Sequence, residues 1–579
     1  MEPQDSSAAH NHPAPAHENS NVNDSAVGTV GNSSPEETLM ETDDHNDDAV
    51  QPNAAGFDRI DDETYDGPVF WNPNDQTVVE VPIDDNEDVI VDDEMSMDED
   101  DDQDDTKDKD NDLFTNETNA VPDRSRVQLM SHTGPVYAVA AHRLEGSSSQ
   151  ANNLVIVSGG GDDKAYLHHI TTPATAATTT TSTSPITTHS QWLEHAHSDS
   201  VSCVALNLPF LSSTDAHPTP RLIAVGAFDG SLVLYHADTG TTFWTIDAGP
   251  SDIEWLCFHP KGGTVLLAGS ATDATIWMYH VTLQRCLQVF VGHDQAVTAG
   301  AFSPDGKWAL SASADGTVRI WAPKTGVCKH VFRLAPSSST SQPPPASSSV
   351  PGVTCLATHG GTDGQLILVG TEDGQAHVCH LGTKKVVASL RHYELPTTPH
   401  ATSGAAPDDE HDGDDDAAAV LELPMSVEAV GFASAAVNPH WCATGGVDGT
   451  LKIFDLANNG QCRQVCRLPS PPLSGDTMEE GGAGGGGITR LQWHPTLPLV
   501  VTASTTGIVA IWDARNGRLL QTLTGHTDTI NDMTVQCSSS SNGGDGGNHT
   551  VIVTGSDDHS VRVFEVNVME LLQAAPATR

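Results

Sequence analysis

Residues 292–321 read GHDQAVTAGAFSPDGKWALSASADGTVRIW. A Gly-His pair leads into an alternating run that ends at Phe302, and the turn sequence Ser-Pro-Asp-Gly follows at 303–306. A second alternating run, 307–313, leads to Asp315-Gly316, and 317–321 closes the unit. Period-two alternation bounded by Pro-Asp-Gly and Asp-Gly turns predicts three short antiparallel strands joined as hairpins. One such sheet is marginal alone, because nothing covers its two faces. The stretch therefore predicts further copies of itself.

Spacing finds the copies. Asp315 lies six residues before Trp321 and four after Ser311. The six-residue interval recurs from Asp162 to His168, Asp229 to Tyr235, Asp273 to Tyr279, Asp373 to Cys379, Asp448 to Phe454, Thr506 to Trp512 and Asp558 to Phe564. Matching strand starts stand at Val136, Val201, Ile253, Val297, Val353, Val427, Ile488 and Ile530. The unit resembles the WD40 repeat, which has a period of ~40–45 residues and four strands per propeller blade. Eight units predict an all-β fold, an eight-bladed WD40 β-propeller over 123–570. Residues 127–130 are expected to pair with the last blade and close the ring. Residues 1–122 are read as a disordered acidic tail, and 571–579 as a short C-terminal tail.

The residue types have a physical reason. His293, Ser311, Asp315 and Trp321 can hydrogen-bond in series, so that none is buried unsatisfied. The eighth unit keeps His526, Thr554 and Asp558, with Phe564 closing it; the first keeps His132, Ser158 and Asp162. The third unit lacks the histidine, and the seventh has Thr506 where the aspartate belongs. All these residues are read as a structural relay.

Net charge is -52, from 78 acidic and 26 basic residues. Residues 1–120 hold 36 of the acids and three cations, Arg59, Lys107 and Lys109. Such a chain repels phosphate backbones, so direct nucleic-acid binding is not expected and basic proteins are its natural partners. The tail alternates acids with aliphatic residues at 77–93, a composition of interaction segments. Low-complexity insertions stand at 171–190, 334–350, 396–424, 468–487 and 538–548, where loops tolerate them. The opening MEPQDSSAAH has neither a basic nor an apolar leader region, so no secretory signal is expected. No apolar run approaches the ~18 residues of a membrane span. Ten scattered cysteines fit buried thiols in a reducing compartment. The expected location is the cytoplasm, and the nucleus besides.

Gly159–Lys164 reads GGGDDK but lacks the spacing of a phosphate loop, and its two aspartates oppose phosphate. Cys462-x-x-x-Cys466 and His195-x-His197 lack a partner pair at zinc spacing. The sequence holds no G-x-S-x-G. No enzyme activity, cofactor or metal is expected.

Four stretches carry a finer resemblance: VSGGGDDKAYLHHI (157–170), DAGPSDIEWLCFHPKGGTVLLAGSATDATIWMYHV (247–281), DGTVRIWAPKTG (315–326) and GIVAIWDARNGRLLQTLTGHT (507–527). With them, 127–566 resembles the angio-associated migratory cell protein family. The resemblance implies a chaperone for a large-subunit ribosomal protein, whose basic N-terminal segment lies on a negatively charged propeller face; a monomer is expected. It equally implies roles in cell migration for animal members. By spacing, residues near the strand starts and turn aspartates form such a face here: Asp199, Asp252, Glu254, Asp294, Glu372, Asp528 and Asp557, with Phe228 as an apolar anchor. A rival reading is a receptor for a cullin-type ubiquitin ligase, since Trp512-Asp513-Ala514-Arg515 fits W-D-x-R. W-D-x-R is short, and the favoured reading is that Arg515 caps the turn after its strand.

Overall fold

The computed structural model describes residues 122–144, 151–173, 186–194, 197–207, 220–334, 350–359, 365–393, 426–469, 486–537 and 549–574. The expectations for 1–121, for most of the five insertions and for 575–579 lie outside those residues. Among the described residues the strands form eight four-stranded antiparallel sheets. Blades one to seven span 136–192, 201–246, 255–291, 299–333, 353–391, 427–467 and 488–523. Blade eight takes three strands from 530–567 and its fourth, Val127–Leu129, from the other end of the described chain.

That fourth strand pairs antiparallel with Val561–Asn567, matching Val127 to Val563 and Leu129 to Val561. The preceding residues fasten it. Arg124 N donates to Thr524 O at 2.8 Å, Thr524 Oγ1 to Pro122 O at 2.7 Å, and the Arg562 guanidinium pairs with Asp123. The first strand of each blade packs beside that of the next, and blade eight's beside blade one's, so the ring is closed. Closure leaves only short, protected sheet edges.

Each of the eight blade interfaces holds its own apolar cluster. Middle strands are covered on both faces by neighbouring blades, so their sequences run apolar without alternation; Leu222–Ala227 is buried at every position. Outer strands are more exposed than the middle ones, and Gln461–Arg467 alternates in burial. The ladders begin at the expected residue in six blades and two residues later, at Trp255 and Ala299, in blades three and four. In those six, pairing slips by a residue just after the start, as between Val136 and Ala138; blades three and four begin beyond that irregularity. In blades two to seven a second irregularity falls at the closing residue, for example between Ile320 and Trp321.

Two boundaries differ from expectation. Strands Ala165–Pro173 and Thr187–Trp192, paired with each other, take up the described residues at both ends of 171–190. Residues 571–574 belong to a helix, Val568–Ala574, because Leu571 and Leu572 pack into the cluster between blades seven and eight. Asn567 starts this helix in a reciprocal pair with Glu570, Nδ2 donating to Oε1 at 2.7 Å.

In an up-and-down blade the links between blades and the second-to-third turns share one end of the ring, called the upper end below. The first-to-second and third-to-fourth turns share the lower end. Lower-end side chains stitch blade to blade: Asn207 donates to Gly263 O at 3.3 Å, His259 to Gly306 O at 3.0 Å, and His359 to Pro439 O at 2.8 Å.

Candidate functional site

The relay residues meet at the upper end. His293 Nδ1 lies 2.9 Å from Asp315 Oδ2, its Nε2 2.7 Å from Ser311 Oγ, and Trp321 Nε1 donates to the same Oγ at 2.8 Å. Ser311 accepts from the indole, so its hydroxyl proton points to His293 Nε2. That assignment leaves the histidine's proton on Nδ1, facing the carboxylate. Burial alone would raise the Asp315 carboxyl; hydrogen bonds from His293 and Thr317 and the Asp294 amide outweigh it and hold the group below the usual range. Blade eight repeats the geometry, with His526 2.8 Å from Asp558 and 2.7 Å from Thr554. Blade one does so with His132 2.8 Å from both Asp162 and Ser158.

His168, at the position where six other blades close on Trp, Tyr or Phe, extends the first relay. Its Nε2 lies 3.0 Å from Ser158 Oγ and its Nδ1 2.9 Å from Ser190 Oγ. Burial, then the neighbouring His132, pushes its pKa down to about 3, so the ring is neutral.

Other blades complete the relay with residues that the spacing did not single out. In blade six His392 lies 2.6 Å from Thr444, 2.8 Å from Thr450 and 3.5 Å from Asp448. In blade two His197 bonds Ser231, and Asp229 accepts from Ser198 N at 2.7 Å. Blade three, without a histidine, uses Asp252. This carboxylate accepts from the Ser270 hydroxyl, from Ala271 N at 3.0 Å and from Thr272 N at 3.1 Å. Asp252 is 7% exposed, which corrects its placement on an open binding face. It holds its own blade together, because an aspartate is the acceptor that buried hydroxyl and amide donors need when the histidine is missing.

A second set of bonds crosses between blades at the residue after five of the eight strand starts. Thr298 Oγ1 donates to Val353 O at 2.7 Å, Thr489 Oγ1 to Ile530 O at 2.6 Å, and Asn531 Nδ2 to Val136 O at 3.1 Å. Ser202 and Thr354 do the same to Ile253 O and Val427 O. Glu254 stands at this position in blade three and is no donor when ionised. Its neighbour Trp255 takes over, the indole N–H donating to Val297 O at 2.9 Å. Room for the ring comes from two glycines: a Cβ on Gly269 would sit 2.1 Å from Trp255 Cε2, and one on Gly300 1.9 Å from its Cη2. Glu254 is thereby left exposed. Partial burial, then repulsion from Asp252, raises its carboxyl above the usual range.

The remaining face residues divide. Asp199, Asp294, Asp528 and Phe228 are exposed, Phe228 at 40%. Glu372 is exposed but also accepts from Gly352 N at 3.0 Å, and Asp557 is half-buried and accepts from Asn531 Nδ2 at 2.6 Å. Both therefore carry part of the ring's own bonding. At the lower end Arg515 clasps Asp513 with two bonds of 2.8 Å, and Asp513 also accepts from Arg515 N and Asn516. The W-D-x-R sequence thus makes a turn cap, and both edges used by its guanidinium are committed to it.

The family model for the WD domain, G-beta repeat, matches residues 284–322, 480–513 and 517–565. The angio-associated migratory cell protein of Homo sapiens is 34% identical over 368 residues, covering 64% of this chain and 68% of that protein. Among solved structures, Saccharomyces cerevisiae Sqt1 superposes with a TM-score of 0.54 at 16% identity, over 77% of this chain and 100% of that one. Chaetomium thermophilum Sqt1 bound to the N-terminus of the ribosomal protein L10 does so with a TM-score of 0.51 at 18% identity, over 77% and 100%.

Proposed function

Because the chain belongs to the angio-associated migratory cell protein family of WD40 propellers, we propose that it is a non-enzymatic holder of a basic protein segment, and that the segment comes from a large-subunit ribosomal protein. The observation that carries this reading is the set of exposed carboxylates from separate links at one end of the ring: Asp199, Glu254, Asp294 and Asp528. None of the four bonds the neighbouring blade in place of a donor, and exposed Phe228 adds an apolar contact beside them. Several exposed acids of one sign steer a basic partner and raise its association rate. Each ion pair is weak, so capture rests on many together and falls with salt. The Chaetomium complex supports the class of client, a ribosomal protein N-terminus, on a propeller of the same fold. The cytoplasm, where such a client is made, is the proposed place of capture, with passage to the nucleus.

Purification of the full chain from cells at low and at high salt, with identification of what accompanies it, tests the proposal. A basic large-subunit ribosomal protein should be retained at low salt and lost at high salt. Its absence at low salt, together with normal large-subunit levels on depletion of the chain, would refute the reading.

A further inference from the structure

Among the described residues, the lower rim of blades three to five is rich in exposed cations. The third-to-fourth turns of blades three, four and five follow one another around its rim, and each presents a cation beside an aliphatic side chain. Arg285 lies next to Leu283, Lys324 to Val327, and Lys384 and Lys385 to Val386 and Val387. All are exposed, Val327 by 51% and Val387 by 52%. Lys261 adds a further exposed cation on blade three. Among the described residues of this arc the one acid is Asp305, and Lys307 holds it at 3.4 Å. Scattered exposed aliphatics are ordinary on a protein surface. Their repetition beside a cation on three successive turns selects a partner that alternates acids with aliphatic residues.

This chain contains such a partner. Residues 78–93 read VVEVPIDDNEDVIVDD, with seven acids, seven aliphatic residues and no cation. We propose that 78–93 docks on the lower rim of blades three to five of the same chain. Acids meet the cations there, and Val and Ile cover the exposed aliphatic side chains. The 28 residues from 94 to 121 join the segment to the fastened Pro122. They span ~30 Å as a coil and ~95 Å when taut. Four strands on each side of a channel, at ~4.8 Å per strand, make the ring roughly 50 Å across. Tethering at this length gives an effective concentration near the millimolar range, so contacts too weak for a free peptide suffice. The acids of the upper end repel the same segment, which sorts it away from that face. RNA is the weaker candidate for this arc, since a net charge of -52 opposes its approach.

Zero-length carbodiimide cross-linking of the full chain, mapped by mass spectrometry, tests the docking and requires no client. Cross-links should join Lys324, Lys384 or Lys385 to the acids of 80–93, in excess over those to Lys164 at the upper end. They should vanish at about 1 M salt, where the screening length is ~3 Å. In the Lys324→Glu/Lys384→Glu/Lys385→Glu variant, cross-links from 80–93 to Lys261 of the same rim should also fall several-fold. These substitutions are at exposed sites, and an unchanged melting temperature confirms that the ring is intact. Cross-links spread evenly over lysines of both ends, or Lys261 cross-links unaffected by the triple variant, would overturn the proposal. It fails equally if the three lysines form no tail cross-links and are instead shielded by RNA.

Discussion

Gly300→Ala is a small change that should behave like a large one. The added methyl would lie 1.9 Å from Cη2 of Trp255, a ring already pinned by its 2.9 Å bond to Val297 O and bounded on the other side by Gly269. Overpacking against a ring that cannot swing away costs about 1–3 kcal/mol. Trp255→Ala removes the ring and leaves a hole, at about 3–5 kcal/mol. In the double variant the methyl occupies space that the indole vacated, so its own penalty should disappear. Unfolding midpoints in urea for the four proteins, read at a common slope, close the cycle. The double variant should be more stable than the sum of the single losses by about 1–3 kcal/mol, whereas independent sites add to within ~0.5 kcal/mol. Additivity would refute the packing account of blade three. A second arm tests the hydrogen bond. Trp255→Phe leaves Val297 O without its indole donor, at about 1–3 kcal/mol. Glu254→Thr in that background should recover ~1 kcal/mol, by supplying the hydroxyl that Thr298 and Thr489 supply elsewhere.

Acid should loosen the ring through its turn aspartates. Burial would raise them, but hydrogen bonds to His, Thr and Ser side chains and turn amides leave Asp229 and Asp448 near 2 and Asp315 and Asp558 below the usual range. A depressed folded pKa stabilises above the unfolded value of ~3.9, so the melting temperature should be flat near neutrality and fall from about pH 5 towards pH 2. Asp448→Asn should lower the plateau and flatten that fall. Ala274 holds the left-handed turn position (φ 52°) that Gly230 and Gly316 fill in other blades; Ala274→Gly should stabilise by about 0.5–1 kcal/mol in the same urea assay. Asp199→Asn/Asp294→Asn/Asp528→Asn should weaken capture of a basic ribosomal N-terminal peptide about 5- to 100-fold at low salt, through association rate above all, and leave unfolding unchanged.

The blade count was legible because an aspartate and a closing residue six positions later mark a turn and the strand after it, and neither tolerates drift. What escaped was the substitutes. His197 precedes Val201 by four residues, as His132, His293 and His526 precede their own strand starts, so its signal was present. His392 was hidden by the long link before Val427, which breaks any count from the strand start. Asp252 read as a surface acid because acids in links generally are; Ser270 claims it only because no histidine does. Asp199, Asp294 and Asp528, exposed residues of the links, could be picked out by their spacing from the strand starts. Which carboxylates the turns consume could not, since that depends on amides brought near by folding, as Gly352 is to Glu372. The bonds between blades left a fainter trace, a Ser, Thr or Asn right after five strand starts, that only the ring makes meaningful.

The pairing of Val127 with Val563 sets a clock on synthesis. The two residues are 436 positions apart, and at ~5–20 residues per second the first waits roughly 20–90 s for the second to be made. Throughout that interval blade eight is unfinished, and the third strand of the sheet, Val561–Asn567, does not yet exist. The ring therefore cannot be sealed during translation of its first seven blades. Truncation before blade eight leaves an open arc whose first and last blades each expose an apolar face that the finished ring covers, with Val139 and Ile156 on one and Val501 and Ile511 on the other.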